Sequence, residues 1–247
     1  SPPPAREKGT VLTVRGVSAH HGTGRSRRMV LADLDLDLHP GTLTAVVGPS
    51  GCGKTTLIRV LAGLHEPTRG TLTLDSTPLA GLYRRRTRDQ RRRIQLVPQN
   101  PLGALNPAHT IGATLTRPLK LHFDLPTDQC DTRVAELLTA VGLPPDYAHR
   151  RPHELSGGQR QRVSIARALA ADPDVLLCDE VTSALDSTTA VGIMNLLASL
   201  RAERGLAVVL VTHDHNLIAG HTDDIIDLAA SDDQAPAAGR KARLIPS

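Results

Sequence analysis

Aromatic side chains are nearly missing from this 247-residue chain, which has one Phe, two Tyr and no Trp. Tyr83, Phe123 and Tyr147 are too few and too scattered to make a platform for stacking bases, so nucleic acid is not an expected partner. Cysteine is scarce as well. Cys52, Cys130 and Cys178 lie far apart, which argues against a disulfide framework or a zinc site and fits a reducing compartment. No apolar run approaches the length of about 20 residues that spans a bilayer. The opening Ser1-Pro2-Pro3-Pro4 is neither a basic leader nor an apolar one, so no secretory signal is visible. The first residue is not Met, and the chain reads as processed or cut from a longer one. No internal repeat is present.

What is there suits one sizeable core with room for an inserted subdomain. Net charge is +4, and the excess is local. Arg84, Arg85, Arg86, Arg88, Arg91, Arg92 and Arg93 crowd one stretch. This run reads as an anion or lipid-headgroup patch or, the preferred reading, as a solvated surface segment. Residues 1–9 read as a flexible tail. Val11 to Val17 and Leu34 to Leu38 suggest a small antiparallel sheet, joined by a polar loop over 20–28. Short strands are expected at Leu43 to Val47, Thr71 to Asp75 and Ile94 to Val97. From about 102 to 165 strand signals vanish. Val134, Leu137, Leu138 and Val141 recur at helical spacing until Gly142. Strands return at Val175 to Cys178, Leu206 to Val211 and Ile225 to Leu228, with an amphipathic helix over 188–203. Residues 229–247 read as disordered.

The chemistry centres on Gly48-Pro49-Ser50-Gly51-Cys52-Gly53-Lys54-Thr55, which satisfies G-x-x-x-x-G-K-[ST] at every fixed position. Its glycines let successive N–H groups converge, and the helix that starts there adds a positive end, so the loop suits phosphate. Lys54 suits the β- and γ-phosphates, and the Thr55 hydroxyl suits a Mg²⁺ ion. Strand before and helix after, from Thr56 to Leu61, give the context this chemistry needs. Three further stretches stand out. Asp179-Glu180 ends an apolar strand, where one carboxylate can face a metal and the other orient water. Leu155-Ser156-Gly157-Gly158-Gln159 opens a helix and offers a second phosphate-facing end. His213 emerges just past a buried strand. Cys52, at the helix start, is expected to be reactive, Cys178 shielded and Cys130 exposed.

In order and spacing these motifs resemble those of the ATP-binding subunits of ATP-binding cassette (ABC) transporters, over roughly residues 10–228. Residues 48–55 resemble the Walker A loop, Gln99 the Q-loop glutamine and 155–159, LSGGQ, the signature motif. Val175 to Asp179 resembles Walker B, with Glu180 as the catalytic glutamate. Ser183-Ala184-Leu185-Asp186 resembles the D-loop, and His213 the switch histidine. The resemblance implies an α/β P-loop NTPase core, at about 10–98 and 166–228, with a small antiparallel β subdomain and an inserted helical subdomain at about 99–165. It implies ATP held by residues 48–55 with Thr56, Gln99, Ser156, Gly157, Gly158, Gln159 and Asp186. Mg²⁺ would be held by Thr55, Gln99 and Asp179, and hydrolysis carried by Glu180, His213, Lys54 and Gln99. The family usually places an aromatic residue against adenine, and His21, or His20 beside it, stands there instead.

The family pairs two such chains head to tail, so that Ser156, Gly157 and Gly158 of one meet the γ-phosphate held by Lys54 of the other. Its partners are transmembrane permease subunits at the cytoplasmic face of the membrane. Residues 99–112, QNPLGALNPAHTIG, resemble the ATPases of oligopeptide, dipeptide and nickel importers, which also use an extracytoplasmic substrate-binding protein. Many of those carry a longer C-terminal extension, sometimes with clustered cysteines. This chain ends soon after Leu228, and reads as half of a fused two-ATPase chain or as a truncated piece. The alternative is a soluble ABC ATPase acting on ribosomes or DNA, which usually has paired cassettes or long coiled-coil insertions. A nucleotide-binding module without turnover fits less well, because Glu180 and His213 are both present.

Overall fold

The computed structural model describes residues 9–22, 28–228 and 243–246. In chain order its elements are β1 (Leu12–His21), β2 (Arg28–Leu38), β3 (Leu43–Val47), α1 (Lys54–Ala62), β4 (Arg69–Leu74), β5 (Thr77–Leu79), α2 (Arg88–Arg93), β6 (Ile94–Val97), α3 (Pro101–Ala104), α4 (Ile111–Phe123), α5 (Thr127–Ala140), α6 (Gly157–Leu169), β7 (Val175–Asp179), α7 (Ser187–Arg204), β8 (Ala207–Val211), α8 (His215–Ile218), β9 (Asp224–Asp227) and β10 (Arg243–Pro246). They form two sheets. One is antiparallel with the order β2-β1-β4-β5, and the other has the order β10-β9-β3-β8-β7-β6. In the second sheet β9, β3, β8, β7 and β6 run parallel, and β10 closes the edge antiparallel to β9.

Apolar side chains on both faces make the parallel strands central. In β3, Leu43, Ala45 and Val47 join one core with α4, α5, α6 and α7, while Val46 joins another with α1 and the antiparallel sheet. Leu176 and Cys178 of β7 face the first core, and Val175 and Leu177 the second. A sheet buried on both faces reads as continuous apolar runs rather than alternation, as Val175 to Cys178 and Ala207 to Val211 do. The chain leaves β3 for the sheet edge at β6 and returns through β7 and β8. The loops after these strands therefore gather at one end of the sheet, where ligands of such folds bind. The helical part ends in α6, whose later residues Val163, Ile165 and Ala166 are buried in the core shared with the sheet.

Several expectations need correction. The stretch 229–247 is not wholly irregular, because 243–246 pairs with β9. The remainder of it lies outside the described residues, as do residues 1–8 of the expected tail and 23–27 of the expected loop. The arginine run is not a solvated segment either. Arg86 is buried, and its guanidinium donates to the carbonyls of Ala80, Leu61 and Val60 at 2.9, 2.8 and 3.4 Å, capping the end of α1. Burial pushes its pKa down to about 10, so it stays charged at neutral pH. Arg93 pairs with Asp174 before β7 and with Asp75 after β4. Arg92 donates to the carbonyls of Ala171 and Asp172 and lies over the Phe123 ring. Arg88 donates to the Leu121 carbonyl. The run is thus a brace joining both sheets to the helical part.

Candidate functional site

The phosphate loop begins where β3 ends. Gly53 carries φ of 112°, and a Cβ there would lie 2.8 Å from the Val30 carbonyl oxygen. Only glycine fits that close approach. Lys54 is buried, and its Nζ donates to the carbonyls of Gly48 and Pro49 at 2.7 and 3.0 Å. The ammonium therefore closes the loop on itself, in the place where a phosphate would offer it stronger acceptors. Thr55, the second residue of α1, donates its hydroxyl toward Asp179 at the end of β7. Burial, and then the neighbouring Glu180, raise the Asp179 pKa, against the pull of Arg59, Thr55 and Lys54. A hydroxyl and a carboxylate of raised proton affinity, in contact beside a phosphate loop, form a hard oxygen donor set that suits Mg²⁺.

Glu180 follows Asp179 in the left-handed region, with φ of 48°. This conformation costs a non-glycine residue about 1–2 kcal/mol and tends to mark functional sites. It is held by the Glu180 N–H, which donates to the Val211 carbonyl at 3.0 Å. The carboxylate accepts from Gln99 Nε2 at 3.0 Å. The same Nε2 approaches Ser183 Oγ at 3.2 Å, and that hydroxyl donates to the Glu180 carbonyl at 2.9 Å. His213 Nδ1 stands 3.9 Å from the other carboxylate oxygen. The ends of β6, β7 and β8 thus bring Gln99, Asp179, Glu180 and His213 together, next to the loop that follows β3. In the sequence Ser183 stands out only as part of its motif. Its position three residues after Glu180, in a turn, is the signal for its bracing role.

The signature residues lie elsewhere in the chain. Ser156 caps α6 with a reciprocal pair of bonds: Gln159 N–H donates to Ser156 Oγ at 3.3 Å, and Ser156 N–H donates to Gln159 Oε1 at 2.9 Å. Gly157 and Gly158 pack beside Leu185 and Thr189. Asp186 caps α7, accepting from Thr189 N–H and hydroxyl at 3.0 and 2.7 Å. Among the described residues, none of these hydrogen bonds reaches residues 48–56 of the same chain. Thr56 is buried within α1. His20 Nδ1 sits 3.2 Å from Thr68 Oγ1, whereas His21 is exposed at the end of β1, paired with Arg28. Arg28 is two residues from Val30, which touches Gly53, so the end of β1 stands beside the phosphate loop.

The cysteines correct the sequence reading. Cys52 is 4% exposed and packs in the core with Leu57 and Leu61, so its thiol is not presented to a reagent or a phosphate. Cys130 is 0% exposed and its thiol points to the Leu125 carbonyl, because it lies on the apolar face of α5 despite polar neighbours in sequence. Cys178 is shielded, and burial pushes its thiol far above the ordinary range.

A family profile described as ABC transporter matches residues 31–183. The di/tripeptide transport ATP-binding protein DppF of Pseudomonas aeruginosa is 37% identical over 223 residues, covering 88% of this chain and 69% of that protein. The nickel import ATP-binding protein NikE of Escherichia coli is 38% identical over 214 residues, covering 85% and 80%. The glutathione import ATP-binding protein GsiA of Pectobacterium atrosepticum is 44% identical over 181 residues, 73% of this chain and 29% of that one. Against a Sinorhizobium fredii probable peptide ABC transporter ATP-binding protein, the chain spans 59% of the relative's length. Among solved structures, the dimeric ATP-binding cassette MJ0796 bound to ADP and Pi superposes with a TM-score of 0.80 at 32% identity, covering 95% of this chain and 98% of that one. With the phosphate loop, the paired carboxylates and these relatives in agreement, the chain belongs to the ABC transporter family, as one of its ATP-hydrolysing cassettes.

Proposed function

We propose that this chain is the ATPase subunit of an importer for short peptides or nickel-type cargo, peripheral to the cytoplasmic face of the membrane. The observation that carries the chemistry is Glu180, strained at the end of β7, with Gln99 on one carboxylate oxygen and His213 near the other. Residues 48–55 and Thr56 bind the phosphates, with Lys54 moving from its own loop carbonyls to the β- and γ-phosphates. Thr55, Asp179 and Gln99 hold Mg²⁺, which when bound offsets the charge that gathers on the transferred phosphoryl group. Glu180 orients and deprotonates the attacking water, and His213 steadies the γ-phosphate. His21 stacks on adenine, with less area than a larger aromatic ring would give.

Ser156, Gly157, Gly158 and Gln159 act on a second cassette, a reading supported by their hydrogen bonds, none of which, among the described residues, reaches residues 48–56 of their own chain. Asp186 shapes the same contact through the start of α7. Closure of two cassettes would assemble both sites, and hydrolysis would reopen them. Permease subunits receive that motion, and a substrate-binding protein delivers the cargo. The relatives named above are transport or import ATP-binding proteins, which favours this reading over a soluble ATPase acting on ribosomes or DNA. The test is Glu180→Gln in purified protein. ATP binding is retained, and turnover falls by about 10²-fold or more, since a water-activating group supplies roughly 10²–10⁴. Near-normal turnover would remove Glu180 from the role.

A further inference from the structure

The cap of α6 leaves one polar group of Gln159 with a partner outside the motif. Ser156 N–H can be satisfied only by an acceptor, so the amide oxygen of Gln159 faces it at 2.9 Å and the amide nitrogen points away. That nitrogen donates to the hydroxyl of Tyr147 at 3.3 Å. Tyr147 is one of three Phe or Tyr rings in the whole chain, and it is held on three sides. Its ring carries the Arg150 guanidinium 3.8 Å above the centroid, a stacked cation–π contact. Arg150 N–H donates to the Tyr147 carbonyl at 3.0 Å, and the Arg150 carbonyl accepts from Ile111 N–H, the first residue of α4, at 2.8 Å. A Cβ on Gly112 would meet the Ala148 carbonyl at 3.0 Å, so the 3₁₀ turn at Pro145–His149 lies directly against α4. The side chain that touches the signature is therefore anchored to the helix that follows residues 99–110.

We propose that Tyr147 is a positioning residue for the signature serine. Its hydroxyl fixes the Gln159 amide, the amide fixes the Ser156 backbone, and Ser156 Oγ is thereby held ready to donate to the facing cassette's γ-phosphate. The geometry permits both duties at once, because Ser156 Oγ accepts from Gln159 N–H through a lone pair and keeps its own proton free. Without the phenol, the amide of Gln159 keeps only its bond from Ser156 N–H, and the serine is held less firmly at each closure. This rests on the reading that Ser156 acts on a second cassette.

The experiment uses the Glu180→Gln chain, which binds ATP without consuming it, and follows ATP-driven dimer formation by light scattering. A fluorescent ATP analogue measures affinity at the chain's own phosphate loop in parallel. Tyr147→Phe keeps the ring and its stack on Arg150 and deletes only the hydroxyl, so its thermal midpoint should match the parent. It is expected to raise the ATP concentration for half-maximal dimer by about fivefold, the worth of one neutral hydrogen bond, and to leave analogue binding within about twofold. Arg150→Lys, which loosens the ring but keeps the phenol, should shift dimerisation in the same direction by less. Ser156→Ala separates the two readings. If Ser156→Ala impairs dimerisation and Tyr147→Phe does not, the role of Tyr147 is overturned alone. If Ser156→Ala also leaves dimerisation intact, or if no ATP-dependent dimer forms, the reading beneath it falls as well. An equal loss of analogue binding in Tyr147→Phe would mark a general structural effect and likewise overturn the proposal.

Discussion

At the scale of single residues, the site pairs groups whose ionisation and conformation are costly without ligand. Asp179 is the clearest case. Burial and the adjacent Glu180 raise its pKa, so the folded protein takes up a proton here more readily than the unfolded chain does. A carboxyl raised in this way withdraws stability as pH climbs through its folded pKa, and the penalty is complete above it. Asp179→Asn removes the charge and can still accept from Thr55. We expect the variant, without nucleotide, to melt higher than the parent at pH 8 and the gap to narrow as pH falls toward the ordinary carboxylate range. With Mg-ATP the order should reverse, because only the carboxylate suits the metal. Thermal shift across pH, with and without Mg-ATP, reads both effects, and a variant less stable than the parent at pH 8 would refute the assignment. Asp179 and Glu180 were legible as an acidic pair ending an apolar strand. The left-handed backbone of Glu180 was not, because it is imposed by the bond to Val211 on a neighbouring strand. The contact of His20 with Thr68, distant in the chain, was also closed to sequence.

At the scale of elements, most strands and the helices α5, α6 and α7 followed from periodicity, whereas α4, β10 and the shortest elements did not. β5 has three residues and includes a proline, and α3 has four. Neither is long enough for a pattern to repeat. The arginine run shows a different limit. Charge density marks a segment as polar, but the groups that consume these arginines are carbonyls and carboxylates at distant positions: Leu61, Ala171, Asp75 and Asp174. The Arg86→Met substitution tests the brace at its buried member. Methionine fills the hydrocarbon part of the space and abandons three carbonyls near the end of α1. We expect a loss of about 2–4 kcal/mol, the usual cost of stripping a charged donor from buried acceptors. Arg84→Met, at an exposed position of the same run, should stay within about 0.5 kcal/mol of the parent. Denaturant midpoints for the two variants settle the point, and equal values would return the run to a plain solvated segment.

At the scale of the whole molecule, the phosphate loop, Gln99, Glu180 and His213 share one end of the parallel sheet, and the arginine brace occupies the other. Residues 99–112 leave the first end and enter the helical part, so they connect the nucleotide to whatever lies beyond that surface. Within this segment Leu105 is 1% exposed and belongs to the core with Ile111 and Leu115. A leucine in a helix-rich segment does not declare which way it points, and here the turn after α3 sends it inward. The surface is offered instead by Leu102, 48% exposed, and by the exposed residues 106–109. A large apolar side chain left in water next to the Q-loop glutamine is the kind of anchor an interface buries. In membranes carrying the chain with the permease subunits proposed above, Leu102→Cys and Ala108→Cys should therefore form cross-links to a permease with a short bifunctional reagent. Leu105→Cys should form few, because its thiol would be buried. Ala202→Cys, exposed near the end of α7 just before β8 begins, lies at the brace end of the sheet and should form none. Cross-links confined to Ala202→Cys would place the permease against the opposite end and remove residues 99–112 from the path between ATP and transport.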